Sequence, residues 1–152
     1  GTIVKRLFEI VKPTKAYFGE KDFQQVQIVK KMVEKNQLPV VIIVCPIYRE
    51  INNLAMSSRN ERLTLHEREE AGIIYKILNE AKAKFSKSSA EKTTQWVNNE
   101  FKKNKTFTLE YFEIADEKTL TTCKRKSKNK KYRAFIAVFV NNIRLIDTIS
   151  LN

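Results

Sequence analysis

Apolar residues change their spacing several times along the chain, and each change predicts an element. Ile3, Val4, Leu7, Phe8, Ile10 and Val11 recur at helical spacing over residues 2–12, and Pro13 ends the run. Lys15 to Phe18 reads as a short strand closing at Gly19. Helical spacing returns over 22–36, with Val26, Val29, Met32 and Val33 on one side. Asp22 is placed to cap that helix, with Gln25 at capping-box distance. Val40 to Val44 is an unbroken β-branched run, which predicts a strand buried on both faces, and Pro46 ends it. Alternating helix and strand in this way matches the closing part of an α/β sheet.

The periodicity then lapses, and residues 47–63 read as a functional loop or linker. Thr64 and Glu67 have capping-box spacing. The helix they open is predicted to run to about Phe85, with Ile74, Leu78, Ala81 and Phe85 as its apolar stripe. Ser88 and Glu91 repeat the box before another amphipathic helix carrying Val97 and Phe101. Phe107, Leu109 and Tyr111 then alternate as in a half-buried strand. Tyr132 to Val140 and Ile143 to Ile149 predict two more strands, joined at Asn141-Asn142, a pair that tolerates the positive φ of a tight hairpin. The expected architecture is α/β then α+β. Residues 1–48 would be the end of one domain and 49–152 a small domain of helices on a largely antiparallel sheet.

Composition narrows the chemistry. Among 152 residues, Lys and Arg number 29 against 17 Asp and Glu, a net charge of +12. Such a surplus is compatible with a polyanionic ligand such as ATP. Only three glycines occur, Gly1, Gly19 and Gly72, too few for a dinucleotide fingerprint or a Walker-type loop. Two cysteines make no disulfide framework, and Cys45, inside an apolar run, reads as a buried free thiol. No apolar run approaches the ~20 residues that span a bilayer. No signal peptide is visible, so a reduced cytoplasmic setting is the default. The chain enters a helical pattern directly from Gly1, which leads us to expect a start inside something larger.

Three segments are candidates for chemistry. Gly19-Glu20-Lys21-Asp22-Phe23-Gln24-Gln25 falls at a strand-to-helix turn, where free amides and the helix dipole favour an anion. Were the helix to begin near Lys21, then Lys21, Asp22 and Gln25 would share one face. An ordinary capped helix start fits the same residues. Met56-Ser57-Ser58-Arg59-Asn60 offers two hydroxyls and a guanidinium able to surround a phosphate, or forms a plain polar turn. Lys124 to Lys131 carries six cations in eight positions. That run suits either a solvated loop or a module binding nucleic acid or acidic lipid. His66, the only histidine, supports neither a zinc site nor a triad, and Trp96 reads as a packing residue.

Taken in order, these segments resemble the pantothenate synthetase (pantoate–β-alanine ligase) family. The resemblance is carried by Ile3-Val4-Lys5-Arg6-Leu7-Phe8, Val11-Lys12-Pro13 and Phe18 to Gln25. Arg49-Glu50, Leu54 to Asn60, Leu63-Thr64, Glu67-Arg68 and Arg144-Leu145-Ile146-Asp147 continue it to the end of the chain. It implies a Rossmann-like nucleotidyltransferase domain followed by a smaller α+β domain. It also implies an AMP-forming ligase that joins pantoate to β-alanine through a pantoyl adenylate, with ATP and Mg²⁺.

By the same resemblance, Gly19 and Asp22 would hold the ATP ribose and Glu20 would flank the nucleotide. Lys21 would neutralise the phosphate under attack, and Gln25 would bond pantoate. The Tyr48 backbone would meet adenine. Met56, Ser57, Ser58 and Arg59 would form the phosphate loop, the counterpart of the KMSKS element. The family's H-I-G-H-like motif, Mg²⁺ carboxylate and much of its β-alanine site have no counterpart here. The chain is therefore expected to be the C-terminal half of such an enzyme, inactive alone and homodimeric when complete. Without the preceding strands, Val40 to Val44 would present an apolar edge prone to pairing between copies. Asn52-Asn53 stands where the family usually has Asp-Gly, so a left-handed backbone there would fall on Asn.

Overall fold

The computed structural model describes residues 2–152, which divide into two compact units, the first running to Ile47 and the second spanning Tyr48–Asn152. In the first, α1 (Thr2–Val11) leads to β1 (Lys15–Gly19), a 3-10 turn (Glu20–Asp22), α2 (Phe23–Lys35) and β2 (Val41–Cys45). Lys12, in the left-handed region at φ 50°, and Pro13 end α1. Gln37, at φ 49°, ends α2. Its N–H bonds Glu34 O and that of Leu38 bonds Val33 O, closing the α2 carbonyls as a Schellman motif does.

The two strands are parallel, Lys15 opposite Val41 and Gly19 opposite Cys45, with α2 as the crossover. Phe8, Val29 and Val40 form the buried centre, with Phe18, Met32 and Ile42 packed against it. Burial of β2 departs from expectation: Val41 is 56% exposed and the rest of the strand is half-buried. Only β1 pairs with it among the described residues, so its second edge and part of one face have nothing to cover them. Cys45 is accordingly half-buried rather than buried.

In the second unit, a 3-10 turn (Ser58–Arg62) precedes α3 (Leu65–Glu70), α4 (Ile73–Lys87), α5 (Ala90–Lys103), β3 (Thr108–Asp116), β4 (Tyr132–Val140) and β5 (Ile143–Ser150). The strands form an antiparallel sheet in the order β3-β4-β5. The Thr64–Glu67 capping box is complete, with Thr64 N–H on Glu67 Oε2 at 2.8 Å and Glu67 N–H on Thr64 Oγ1 at 3.2 Å. The single helix expected from it is instead two. Asn52 Nδ2 donates to Arg68 O (2.6 Å) and Glu69 O (3.1 Å), taking carbonyls a continuous helix would use itself. At the break a Cβ on Gly72 would lie 2.3 Å from Asn52 O, so only glycine admits this approach.

The second capping serine is Ser89, not Ser88: Ser89 Oγ accepts from Lys92 N–H, while Ser88 Oγ bonds Lys84 O. The expected alternation in β3 is interrupted by a bulge between Leu109 and Tyr111. Phe107 and Leu109 face the core as expected, but the extra residue reverses the parity beyond them, so the inward positions continue at Phe112 and Ile114 rather than at Tyr111. Leu109, Phe112 and Ile114 meet Val138, Ile136 and Ala134 of β4 and pack with Ile74, Leu78, Ala81, Phe85, Val97 and Phe101 from α4 and α5. Trp96 packs at the margin of this core. Asn141, at φ 49°, turns the β4–β5 hairpin as expected. Among the described residues no helix is long and apolar enough to cross a membrane.

Candidate functional site

The first group of candidates sits in the first unit. Parallel strands gather ligands beyond their carboxyl ends, and β1 ends at Gly19. Gly19 has φ −71° and ψ 132°, open to any residue, and a Cβ there would meet nothing within 4 Å. Neither backbone conformation nor packing within the chain demands glycine, and its bare Cα leaves room for a ligand. Asp22 and Gln25 are exposed, while Glu20 and Lys21 are half-buried.

Two expectations need correction here. Asp22 makes no capping bond, because at φ −95°, ψ 46° it lacks the extended backbone of a capping residue. Moreover, α2 begins at Phe23, after a 3-10 turn, so Lys21 and Asp22 do not continue an α-helical face with Gln25.

The remaining candidates come together in one loop of the second unit. Tyr48 O accepts the Met56 N–H at 2.9 Å, and Arg49 forms an antiparallel bridge to Ala55. Asn53 turns the tip at φ 70°, the left-handed position expected to fall on Asn. Met56 is half exposed. Ser57 Oγ accepts the Arg59 N–H at 3.3 Å, and Ser57 O accepts the Asn60 N–H at 3.0 Å, which starts the 3-10 turn. Ser58 and Arg59 are exposed, and their side chains have no partner among the described residues. The turn therefore offers a hydroxyl and a guanidinium not committed to the fold. A cleft of about 570 Å³ beside it is lined by Tyr48, Ile51, Met56, Leu65 and Arg68.

Beneath the turn lies a network that residue types alone did not disclose. Glu50 Oε2 accepts from Arg68 Nε (2.7 Å) and Oε1 from an Arg68 terminal nitrogen (3.0 Å) and Asn60 Nδ2 (2.7 Å). Asn60 is 1% exposed and also donates to Ala55 O at 3.1 Å. Both of its acceptors fix the amide orientation, which leaves Oδ1 buried without a partner among the described residues. Such an acceptor costs about 1–3 kcal/mol. The pairing in sequence of Arg49 with Glu50, and Asn60 at the end of its motif, were the available signals.

Arg49 forms a second bracket. It meets Asp147 bidentately at 2.7 and 3.0 Å, donates to Asn53 O at 3.0 Å and lies 3.6 Å from the centre of the Tyr75 ring.

The Arg68 hydrogen bonds, helped by the one from Asn60, hold the Glu50 carboxyl below its ordinary value of 4.5 against the opposing effect of burial. A carboxyl depressed in the native state adds stability above its unfolded pKa, and that stability is lost as pH falls through the native one. In thermal melts from neutral pH downwards, Glu50→Gln should therefore lose less stability than the parent below about pH 4.5. Equal losses would contradict this assignment. Glu67 and Asp116, also depressed, remain in both proteins and cancel.

The basic segment 124–131 is an exposed loop tethered by Ser127 N–H on the Tyr132 hydroxyl (2.9 Å), Lys130 on Asp116 (3.6 Å) and Lys126 over the Phe85 ring (4.0 Å). His66 is exposed beside Glu70. A further groove, between α5 and β3, has Lys124 of the basic segment on its lining and no other candidate residue.

Comparison with known proteins gives these segments a context. The family model described as pantoate-beta-alanine ligase matches residues 1–150. The pantothenate synthetase of Flavobacterium psychrophilum is 66% identical over 99% of this chain, and that of Christiangramia forsetii 57% identical over 100%. The chain spans 54% of the length of each. Among solved structures, the pantothenate synthetase of Thermus thermophilus superposes with a TM-score of 0.87 at 31% identity, covering 99% of this chain and 54% of that one. Francisella tularensis pantoate-beta-alanine ligase, complexed with beta-gamma ATP and beta-alanine, superposes with a TM-score of 0.69 at 33% identity, covering 99% and 48%. Nothing in the fold or the relatives supports the nucleic-acid reading of 124–131. Sequence, motif order and fold agree, and the chain belongs to the pantoate-β-alanine ligase family.

Proposed function

We propose that this chain is the carboxy-terminal portion of an enzyme that condenses pantoate with β-alanine at the expense of ATP. The observation that carries this reading is the match of the whole chain to the family, including a relative solved with ATP and β-alanine. A pantoate carboxylate oxygen attacks the α-phosphorus of ATP, and the bond to the bridging oxygen breaks to release pyrophosphate. The β-alanine amine then attacks the acyl carbon and gives up a proton, and the carbon–oxygen bond to AMP breaks, leaving the amide.

In this reading residues 1–48 close the nucleotide-binding domain and 49–152 form the smaller domain. Gly19 gives the ribose access to the backbone, with Glu20 and Asp22 flanking it. Lys21 offsets charge growing on the α-phosphate, and Gln25 bonds pantoate. The Tyr48 carbonyl is used by Met56, so its N–H is the group left for adenine. Met56, Ser57, Ser58 and Arg59 form the loop that meets the phosphates. Preorganised donors of this kind stabilise a phosphoryl transition state without reorganising as charge develops.

Magnesium is expected with ATP, but the described residues bring together no three His, Cys, Asp or Glu side chains. An ATP-borne magnesium needs only one or two carboxylates beside the phosphates, which the family resemblance puts outside these residues, and the roles above are independent of it. The complete protein is read as a cytoplasmic homodimer acting on small molecules rather than nucleic acid. Its test is an assay of the full-length protein with ATP, pantoate and β-alanine. AMP and pyrophosphate should form in step with pantothenate, and a heavy-oxygen label on the pantoate carboxylate should appear in AMP. Release of ADP, or label retained wholly in the amide product, would refute the adenylate route.

A further inference from the structure

We propose that Glu50, Asn60 and Arg68 are positioning residues, a clamp that holds the Met56–Arg59 segment in the geometry needed to meet the phosphates. This rests on the reading of Ser57–Arg59 as the phosphate turn, and it assigns these groups a role that acts through that turn.

The geometry is that of a bracket. Residues 56–59 leave the fold after Ala55 and return at Asn60. One amide nitrogen, Asn60 Nδ2, ties both ends by donating to Ala55 O and to Glu50. The Asn60 N–H holds Ser57 O from within the segment. Glu50 is itself fixed by its N–H on Leu54 O at 2.9 Å and by the two-point contact with Arg68, which anchors it to α3. Asn52 joins the same loop to the end of α3 through Arg68 O and Glu69 O.

Met56, Ser58 and Arg59 of the bracketed segment are exposed, and the side chains of Ser58 and Arg59 have no hydrogen-bond or ion-pair partner among the described residues. Their position is set almost entirely by the backbone between the two tethers. The buried Oδ1 of Asn60, without a partner among the described residues, is consistent with an amide kept for what its nitrogen holds.

A displacement of the turn by about 1 Å can cost on the order of 100-fold in rate. In the full-length enzyme, Asn60→Ala and Glu50→Ala should lower kcat by about 10–100-fold while KM for β-alanine stays within about twofold. Glu50→Gln keeps an oxygen for Asn60 and should lose less, as a rescue by the conservative variant. In an Arg59→Ala background, Asn60→Ala should add no more than about threefold, because the group it positions is gone. Circular dichroism checks that each variant is folded. Should Asn60→Ala fail to fold, Glu50→Ala and Arg68→Ala, at less buried positions, carry the same comparison.

If Arg59→Ala leaves turnover intact, the phosphate-turn reading itself is wrong. If Arg59→Ala lowers turnover but the clamp variants do not, or if their losses multiply in full with that of Arg59→Ala, the positioning role is overturned while the phosphate turn stands.

Discussion

Lys21→Ala in the full-length enzyme is expected to lower the rate of adenylate formation by about 10²–10³-fold, the scale seen when one preorganised donor to developing charge is removed. The proposed mechanism puts negative charge on the non-bridging oxygens as pantoate attacks. Lys21 follows Gly19 and Glu20 directly at the end of β1, beside the N-terminus of α2. A cation there adds to the helix dipole at a position where backbone approach is unhindered. The loss should fall mainly on kcat, since the interaction strengthens as charge builds, and KM for ATP should change less. Lys21→Arg should recover only part, because a planar fork does not replace a compact ammonium. Pyrophosphate release in single turnovers is the measurement, and near-normal adenylate formation in Lys21→Ala would remove the role assigned to this lysine.

Arg49→Ala should strongly destabilise the fold of the second unit. Asp147 has a side chain only 3% exposed, and both of its carboxylate oxygens are bonded by Arg49. Removing the guanidinium leaves a buried carboxylate with little beyond the Thr148 N–H at 2.8 Å. Breaking such a pair costs about 3–5 kcal/mol. It also strips the cation from the Tyr75 ring and a donor from Asn53 O. For a unit of this size the transition should fall by at least about 10 °C. The double variant Arg49→Met/Asp147→Leu should recover much of the loss, since neither charge is then left unpaired. Calorimetry of the parent, single and double variants decides the matter. A single variant that melts within a few degrees of the parent, or a double variant no better than the single, would show that the ion pair is not what holds this loop.

What the amino-acid order determined by itself was local. Pro13, the Thr64–Glu67 box, the α4 stripe and the Asn141 turn were legible because each signal acts within a few residues of where it is written. The two candidate motifs were legible for the same reason, being contiguous runs of suitable chemistry. Tertiary structure decided the rest. A single extra residue after Leu109 reversed the inward face of the rest of β3, and Asn52, reaching in at Gly72, broke a helix whose apolar stripe continues past it. The clamp under the phosphate turn joins Glu50 to Arg68, and its neighbour joins Arg49 to a residue 98 positions away. Neither pairing leaves a periodic trace, because charge and hydrogen-bond complementarity between distant residues is realised only after the core has brought their elements together.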